Sequence, residues 1–321
     1  MQQYERIEYR GKHYTIPVLS REGTRIDPAR AVLKDNLAPD PLSPVLQKLN
    51  SLWDLSNFAI PRKPMRVALL SPQERELFSL RDRAPRTLDL PIKFPGSEFR
   101  VPREFEQFVP LIERVASFEW QHNQQCFDEY FCYLTVDQGE VQPGRLQREA
   151  PCHVDGFQGA RWTPKTRINH SYVISDHVPT VYYPQPFDFS QLDESKHNFF
   201  WEMNRQVALT NSAHAWSPEP YELSLMDAYT VHRGDSATER VYRTWVRMSF
   251  EVRVFDRLGN AHNPMFKYDW AMVPRDIEGL NLVAWDQSSD PSLRVFPWQN
   301  TDGTKFEDRA QRTQPKLRRE P

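Results

Sequence analysis

Apolar positions recur every three to four residues in the first third of this chain and alternate through its middle. Phe105, Phe108, Leu111, Ile112, Val115, Phe118 and Trp120 keep close to helical spacing and predict a helix over 102–122. Pro110 lies inside it, where it kinks or splits the helix. Ser71-Pro72-Gln73-Glu74 carries an N-cap, a proline at the first helical position and the closing acid of a capping box, so a helix is expected from there to about residue 83. A third is expected over 44–55. From about Phe127 the period shortens. Tyr130-Phe131-Cys132-Tyr133-Leu134-Thr135-Val136 is aromatic and β-branched and predicts a strand. Further strands are expected at 151–155, 168–174, 180–183, 222–231 and 242–254, separated by turns such as Asp137-Gln138-Gly139 and Arg233-Gly234-Asp235.

Helices followed by many short strands predict an α+β protein: an all-β core of sandwich or barrel type with a helical N-terminal extension. The divisions fall at 1–125 for the extension, 126–258 for the core and 259–321 for a polar segment that wraps the core and ends in a loose tail. Proline is abundant (27) and glycine scarce (11), which fits ordered loops on a β core better than a helical bundle. The formal charge of −2 offers no basic face for nucleic acid or a membrane surface. No run approaches the ~18 apolar residues of a membrane span, and the first residues lack a basic-then-apolar signal pattern. Three cysteines, Cys126, Cys132 and Cys152, do not make a disulfide framework, so a cytoplasmic protein is expected. A small-molecule substrate suits this profile, and a homodimer is open to it.

The candidate chemistry lies in Pro151-Cys152-His153-Val154-Asp155-Gly156 and Thr230-Val231-His232-Arg233-Gly234. A His and a carboxylate two apart on a strand point to one side. A second His at another strand's edge completes two nitrogens and one carboxylate, the facial ligand set of non-heme Fe(II) sites. His214 is the competing third ligand, in a loop-like stretch. Taken alone, the His153–Asp155 pair fits a locally hydrogen-bonded strand His equally well. On the strand after His232, Arg243, Trp245, Arg247 and Ser249 share one face, while Thr244, Val246, Met248 and Phe250 share the apolar one. Inward arginines need carboxylate partners, from a ligand or from the protein itself. Thr180, at a strand start, could donate to a carboxylate held by an Arg.

The order His153-x-Asp155, Thr180, His232, Arg243, Arg247, with the arginines 11 and 15 residues after His232, resembles the Fe(II)/2-oxoglutarate-dependent dioxygenases over about residues 127–255. The resemblance implies a double-stranded β-helix, or jelly roll. It implies Fe(II) on His153, Asp155 and His232, with 2-oxoglutarate and O2 as co-substrates. It puts 2-oxoglutarate's far carboxylate on Arg243 with Thr180, and an acidic group of the substrate on Arg247, unless the two arginines exchange roles. The expected activity is hydroxylation of a small polar, acid-bearing metabolite such as an amino acid or its derivative, with release of succinate and CO2. Gln158, Arg161, Trp162, Asn169 and Tyr182 are substrate-binding candidates near the expected mouth. Two other readings stay open: a non-catalytic jelly-roll binding module, and a cupin-type metal-dependent hydrolase or isomerase.

Overall fold

The computed structural model describes residues 3–9, 12–30, 36–81, 83–145, 152–155, 166–193, 197 and 199–268. The N-terminal strands are β1 (Tyr4–Tyr9), β2 (Lys12–Pro17), β3 (Gly23–Ile26) and β4 (Met65–Leu69). Helix α1 (Pro72–Phe78), strands β5 (Thr87–Lys93) and β6 (Phe99–Pro102), and helices α2 (Val109–His122) and α3 (Gln124–Glu129) follow. The rest comprises β7 (Phe131–Val141), β8 (His170–Ser175), β9 (Val181–Tyr182), α4 (Phe199–Leu209), β10 (Glu222–Asp227), β11 (His232–Arg233) and β12 (Val241–Glu251).

Six strands form one antiparallel sheet in the order β4-β10-β8-β12-β7-β5. Alternation gives the sheet two unlike faces. Leu90, Leu134, Val136, Tyr172, Ile174, Leu225, Val246, Met248 and Phe250 are buried in the main core with Leu111, Ile112, Val115 and Phe118 of α2. Each such side chain contributes roughly 1.5–3 kcal/mol of burial. The opposite face carries Ser171, Arg243, Trp245, Arg247 and Ser249, with Val173 and Met226 among them.

A small sheet lies across that second face. β9 pairs with β11, Trp216 bridges to Tyr182, and His153 bridges to His232. Tyr182 packs with Val173 and Met226 of the large sheet. Its chain neighbours Val181 and Tyr183 point the other way, into a second core with Trp53, Phe58, Phe199, Met203 and Tyr229. The molecule is therefore layered: helices, large sheet, small sheet, then α4 with its loops. No helix among the described residues is long and apolar enough to cross a membrane.

The N-terminal part is not the helical extension expected for 1–125. Its described residues contribute six strands, two of which (β4 and β5) sit in the large sheet. The capping-box helix is present as α1. The 102–122 pattern divides at Pro110: a 3-10 turn runs over Arg103–Phe108, and α2 starts at Val109 with the proline in its first turn. In place of a helix over 44–55 there are two short 3-10 turns, Leu46–Lys48 and Leu55–Ala59. Of the strand expected over 222–231, only 222–227 forms one, as β10, and 228–231 turn away from it. β10 ends at Asp227, where the Thr230 hydroxyl and Tyr229 N–H donate to Asp227 Oδ1 and turn the chain toward the small sheet. Asp227 is buried against Arg62 at 3.1 Å. Burial raises its pKa, opposed by that guanidinium and by Thr230. Of the segment assigned to wrap the core, Ala261 and Asn263 hydrogen-bond to Leu88 and Pro91 of β5.

Candidate metal centre

His153, Asp155 and His232 come together between the two sheets. One ligand atom of each lies within 4.8 Å of the others. His232 Nε2 is 3.8 Å from Asp155 Oδ1, and the two imidazole centroids are 4.5 Å apart. The small sheet makes this meeting. His153 and His232 exchange both backbone hydrogen bonds at 2.9 Å, so their side chains leave on one side. Asp155 follows in a turn rather than on the expected strand, since within the described 152–155 only His153 is bridged. His232 Nδ1 lies 2.9 Å from the Thr230 carbonyl oxygen, which can only accept. Nδ1 therefore carries a proton, and in the neutral ring Nε2 offers its lone pair on the Asp155 side. This is how metal-binding imidazoles are usually oriented.

The cross-strand row continues beyond the triad. Register places His153, His232, Tyr182 and Trp216 side by side on the face toward the large sheet. Ring centroids are 5.8 Å apart from His232 to Tyr182 and 6.0 Å from Tyr182 to Trp216. Tyr182 is a fully buried wall of the site, not a residue of its mouth. Burial raises its phenol pKa and the Asp155 charge adds to that, while Thr180 and Arg243 partly offset them. Tyr182 thus lies within electrostatic reach of both the triad and Arg243.

Arg243 is buried on β12. Its Nε donates to the His177 and Val178 carbonyl oxygens at 3.1 and 3.0 Å. Burial lowers its pKa to about 10, against the nearby charges of Asp137 and Asp176, so it remains a cation at neutral pH. Thr180 is buried close by and accepts from Trp245 Nε1 at 3.4 Å. Opposite Arg243 across the β12–β7 ladder stands Gly139, where a Cβ would meet open space. Room is therefore left beside a desolvated cation.

Arg247 does not fit the role expected for it. Its guanidinium bridges two protein carboxylates: Nη1 donates to Asp155 Oδ1 at 3.0 Å and Nη2 to Asp89 Oδ1 at 3.1 Å. Burial opposes its charge, but the two carboxylates outweigh this and raise its pKa. An arginine so engaged is not displayed for a substrate's acid group. Asn169 is buried just before β8. His214 is exposed and is not a member of the three-residue cluster found among the described residues. Gln158, Arg161 and Trp162 lie outside the described residues. Cys152 is buried in the second core, and burial raises its thiol to about 11, so it is a packing residue.

Three participants were not foreseen. Asp89 has no spacing relation to the triad. Trp216 joins through a single isolated bridge. Helix α4 brings Phe200 edge-on to His153 at 5.8 Å, and the four-residue spacing of Phe199, Met203 and Val207 was its legible signal.

The donor set suits a divalent first-row cation. Such ions hold N and O donors at roughly 2.0–2.2 Å, so donors at right angles on one side of the ion lie about 3 Å apart. The 3.8 Å between His232 Nε2 and Asp155 Oδ1 is longer than that, so binding would draw the two side chains closer together.

No family model matches the sequence, and no curated protein matches it. Among solved structures, the chain is similar to AviO1 from Streptomyces viridochromogenes Tue57, with 12% identity over 64% of this chain and 92% of that one and a TM-score of 0.32. It is similar to EvdO2 from Micromonospora carbonacea var. aurantiaca, with 14% identity over 57% and 92% and a TM-score of 0.28. It is similar to EvdMO1, with 14% identity over 47% of this chain and a TM-score of 0.26. That last match spans 33% of EvdMO1's own length. Likeness this slight carries no argument, and the functional reading rests on the site.

Proposed function

We propose that the protein is an Fe(II)- and 2-oxoglutarate-dependent oxygenase on a double-stranded β-helix, hydroxylating an unactivated C–H bond of a small polar molecule. The observation that carries this reading is the convergence of His153, Asp155 and His232 within 4.8 Å of one another. When bound, Fe(II) with O2 and 2-oxoglutarate supplies the oxidation that converts C–H to C–OH as the 2-oxo acid is cleaved to succinate and CO2.

In this reading the two imidazoles and Asp155 hold the metal on one side and leave its other side to ligands. Arg243 takes the far carboxylate of 2-oxoglutarate, with Thr180 beside it and Gly139 giving it room. Desolvation makes such a pairing stronger than it would be in water. Tyr182, Trp216, Trp245, Val173 and Met226 wall the space and exclude water. An acid group on the substrate loses its main support, because Arg247 is spent on Asp155 and Asp89.

That same pairing favours a second reading, a non-catalytic binding module in which the arginines serve protein carboxylates. The two readings part on turnover. Purified protein given Fe(II), 2-oxoglutarate and O2 should form succinate, and Asp155→Ala and Arg243→Ala should each abolish it. A wild type that binds metal and 2-oxoglutarate yet forms no succinate with any of a panel of small polar metabolites would favour the binding module.

A further inference from the structure

Asp89 is held in an unusual way. It stands where the register of β5 against β7 slips, between Thr87 and Leu90. Its φ is +48°, in the left-handed region that few residues other than glycine adopt. Such a bulge re-aims a side chain. Thr135 on β7 locks the result: the Asp89 N–H donates to Thr135 Oγ1 at 3.1 Å, and the Thr135 hydroxyl donates to Asp89 Oδ1 at 3.2 Å. The fixed carboxylate faces Arg247 and accepts from its Nη2 at 3.1 Å. The other arm of the same guanidinium, Nη1, reaches Asp155 Oδ1 at 3.0 Å.

A guanidinium and a carboxylate left to themselves tend to form a two-pronged fork, two parallel N–H···O bonds on both oxygens. Such a fork on Asp155 would compete with a cation for the ligand. Asp89 draws one prong away. We propose that Asp89 is a positioning residue of the metal centre: it restrains Arg247 to a one-armed contact that orients Asp155 while leaving that carboxylate able to bind a cation. The proposal rests on the reading of His153, Asp155 and His232 as a metal centre. It also gives Arg247 a task inside the protein, in place of an acidic group on the substrate.

The test is equilibrium Co(II) binding by calorimetry at fixed pH, with thermal unfolding of the metal-free proteins alongside. The full chain is compared with Asp89→Asn, Asp89→Gly and the double variant Asp89→Asn/Arg247→Gln. Wild type should bind Co(II), and Asp89→Asn should weaken that binding by about 10–100-fold. Glycine suits a φ of +48°, so Asp89→Gly removes the carboxylate without straining the backbone and should show the same loss even if the Asn variant folds poorly. In the double variant the competing guanidinium is gone, and affinity should return to within about 3-fold of wild type. A merely structural role for Asp89 would lower the melting temperature and would not be rescued in this way. Single variants that fold and bind Co(II) within about 2-fold of wild type overturn the proposal and leave the triad reading standing. So does a double variant as weak as the single one. Wild-type protein that binds no Co(II) overturns the triad reading, and the proposal with it.

Discussion

Val178 has a φ of +46°, which is costly for a β-branched residue, and it precedes Pro179, which restricts it further. Its carbonyl oxygen is one of the two that hold Arg243 Nε. Strain of this kind is kept where the surrounding structure fixes it for a purpose, here the aim of a buried cation. Val178→Gly should relieve the strain and stabilise the fold by about 1 kcal/mol. A calorimetric melt should show this as a rise of roughly 2 °C, and an unchanged or lower midpoint would remove strain from the account. Arg243→Lys keeps a charge but loses the planar group that the two carbonyls grip. It should weaken 2-oxoglutarate binding to the metal-loaded protein by ~10-fold or more, and equal affinity would take Arg243 out of the site. Residue types and spacing made the triad legible: His153-x-Asp155, then a His at a strand edge before an arginine-bearing strand. Asp89 was not legible, because its role depends on a bulge and a left-handed backbone that leave no periodic trace.

At the scale of elements, α1 shows how a local signal becomes a long-range contact. The capping box is complete: the Ser71 N–H donates to Glu74 Oε2 at 2.8 Å, and the Glu74 N–H to Ser71 Oγ at 3.4 Å. The same carboxylate then accepts two prongs from Arg114 of α2, at 2.8 and 2.9 Å. Burial alone would raise the Glu74 pKa, but Arg114 and the Ser71 bonds outweigh it and bring it down to about 2. A depressed carboxylate contributes stability that is complete above its unfolded pKa and lost as pH falls through its folded one. Stability should therefore decline between about pH 4.5 and pH 2 through this group, and Glu74→Gln should flatten that part of a stability–pH curve. An acid limb identical to wild type would show that the bridge contributes nothing there. β5 was missed for a physical reason. Pro91 inside Thr87–Lys93 lacks a ladder donor, and this is tolerated because β5 is an edge strand of the large sheet. β4 is short and also at an edge, so neither strand offered the long alternation that betrayed β7 and β12.

Across the whole molecule, the helix-facing side of the large sheet supplies the rigid backing and its other face the site. Ile112 of α2 is fully buried against the sheet core, so Ile112→Ala should cost about 2–5 kcal/mol of stability by chemical denaturation while leaving metal affinity of the folded protein near wild type. A parallel loss of affinity would mean that backing and site are not separable. The change of period near residue 127 made an antiparallel β core legible. The small sheet was harder to foresee, since β9 and β11 are two residues each and two of its four members are single bridges. Its pairing nevertheless brings the distant parts of the site together, from His153 to Trp216. In the proposed function this meeting binds Fe(II) and a 2-oxo acid at once. The most direct measurement is an anaerobic titration of Fe(II)-loaded protein with 2-oxoglutarate, watching for the weak visible charge-transfer band of a metal–2-oxo-acid chelate. A saturable band in wild type that disappears in Asp155→Ala and needs far more 2-oxoglutarate in Arg243→Ala is the expected result. Folded, iron-loaded wild-type protein that shows no band at any 2-oxoglutarate concentration would contradict it.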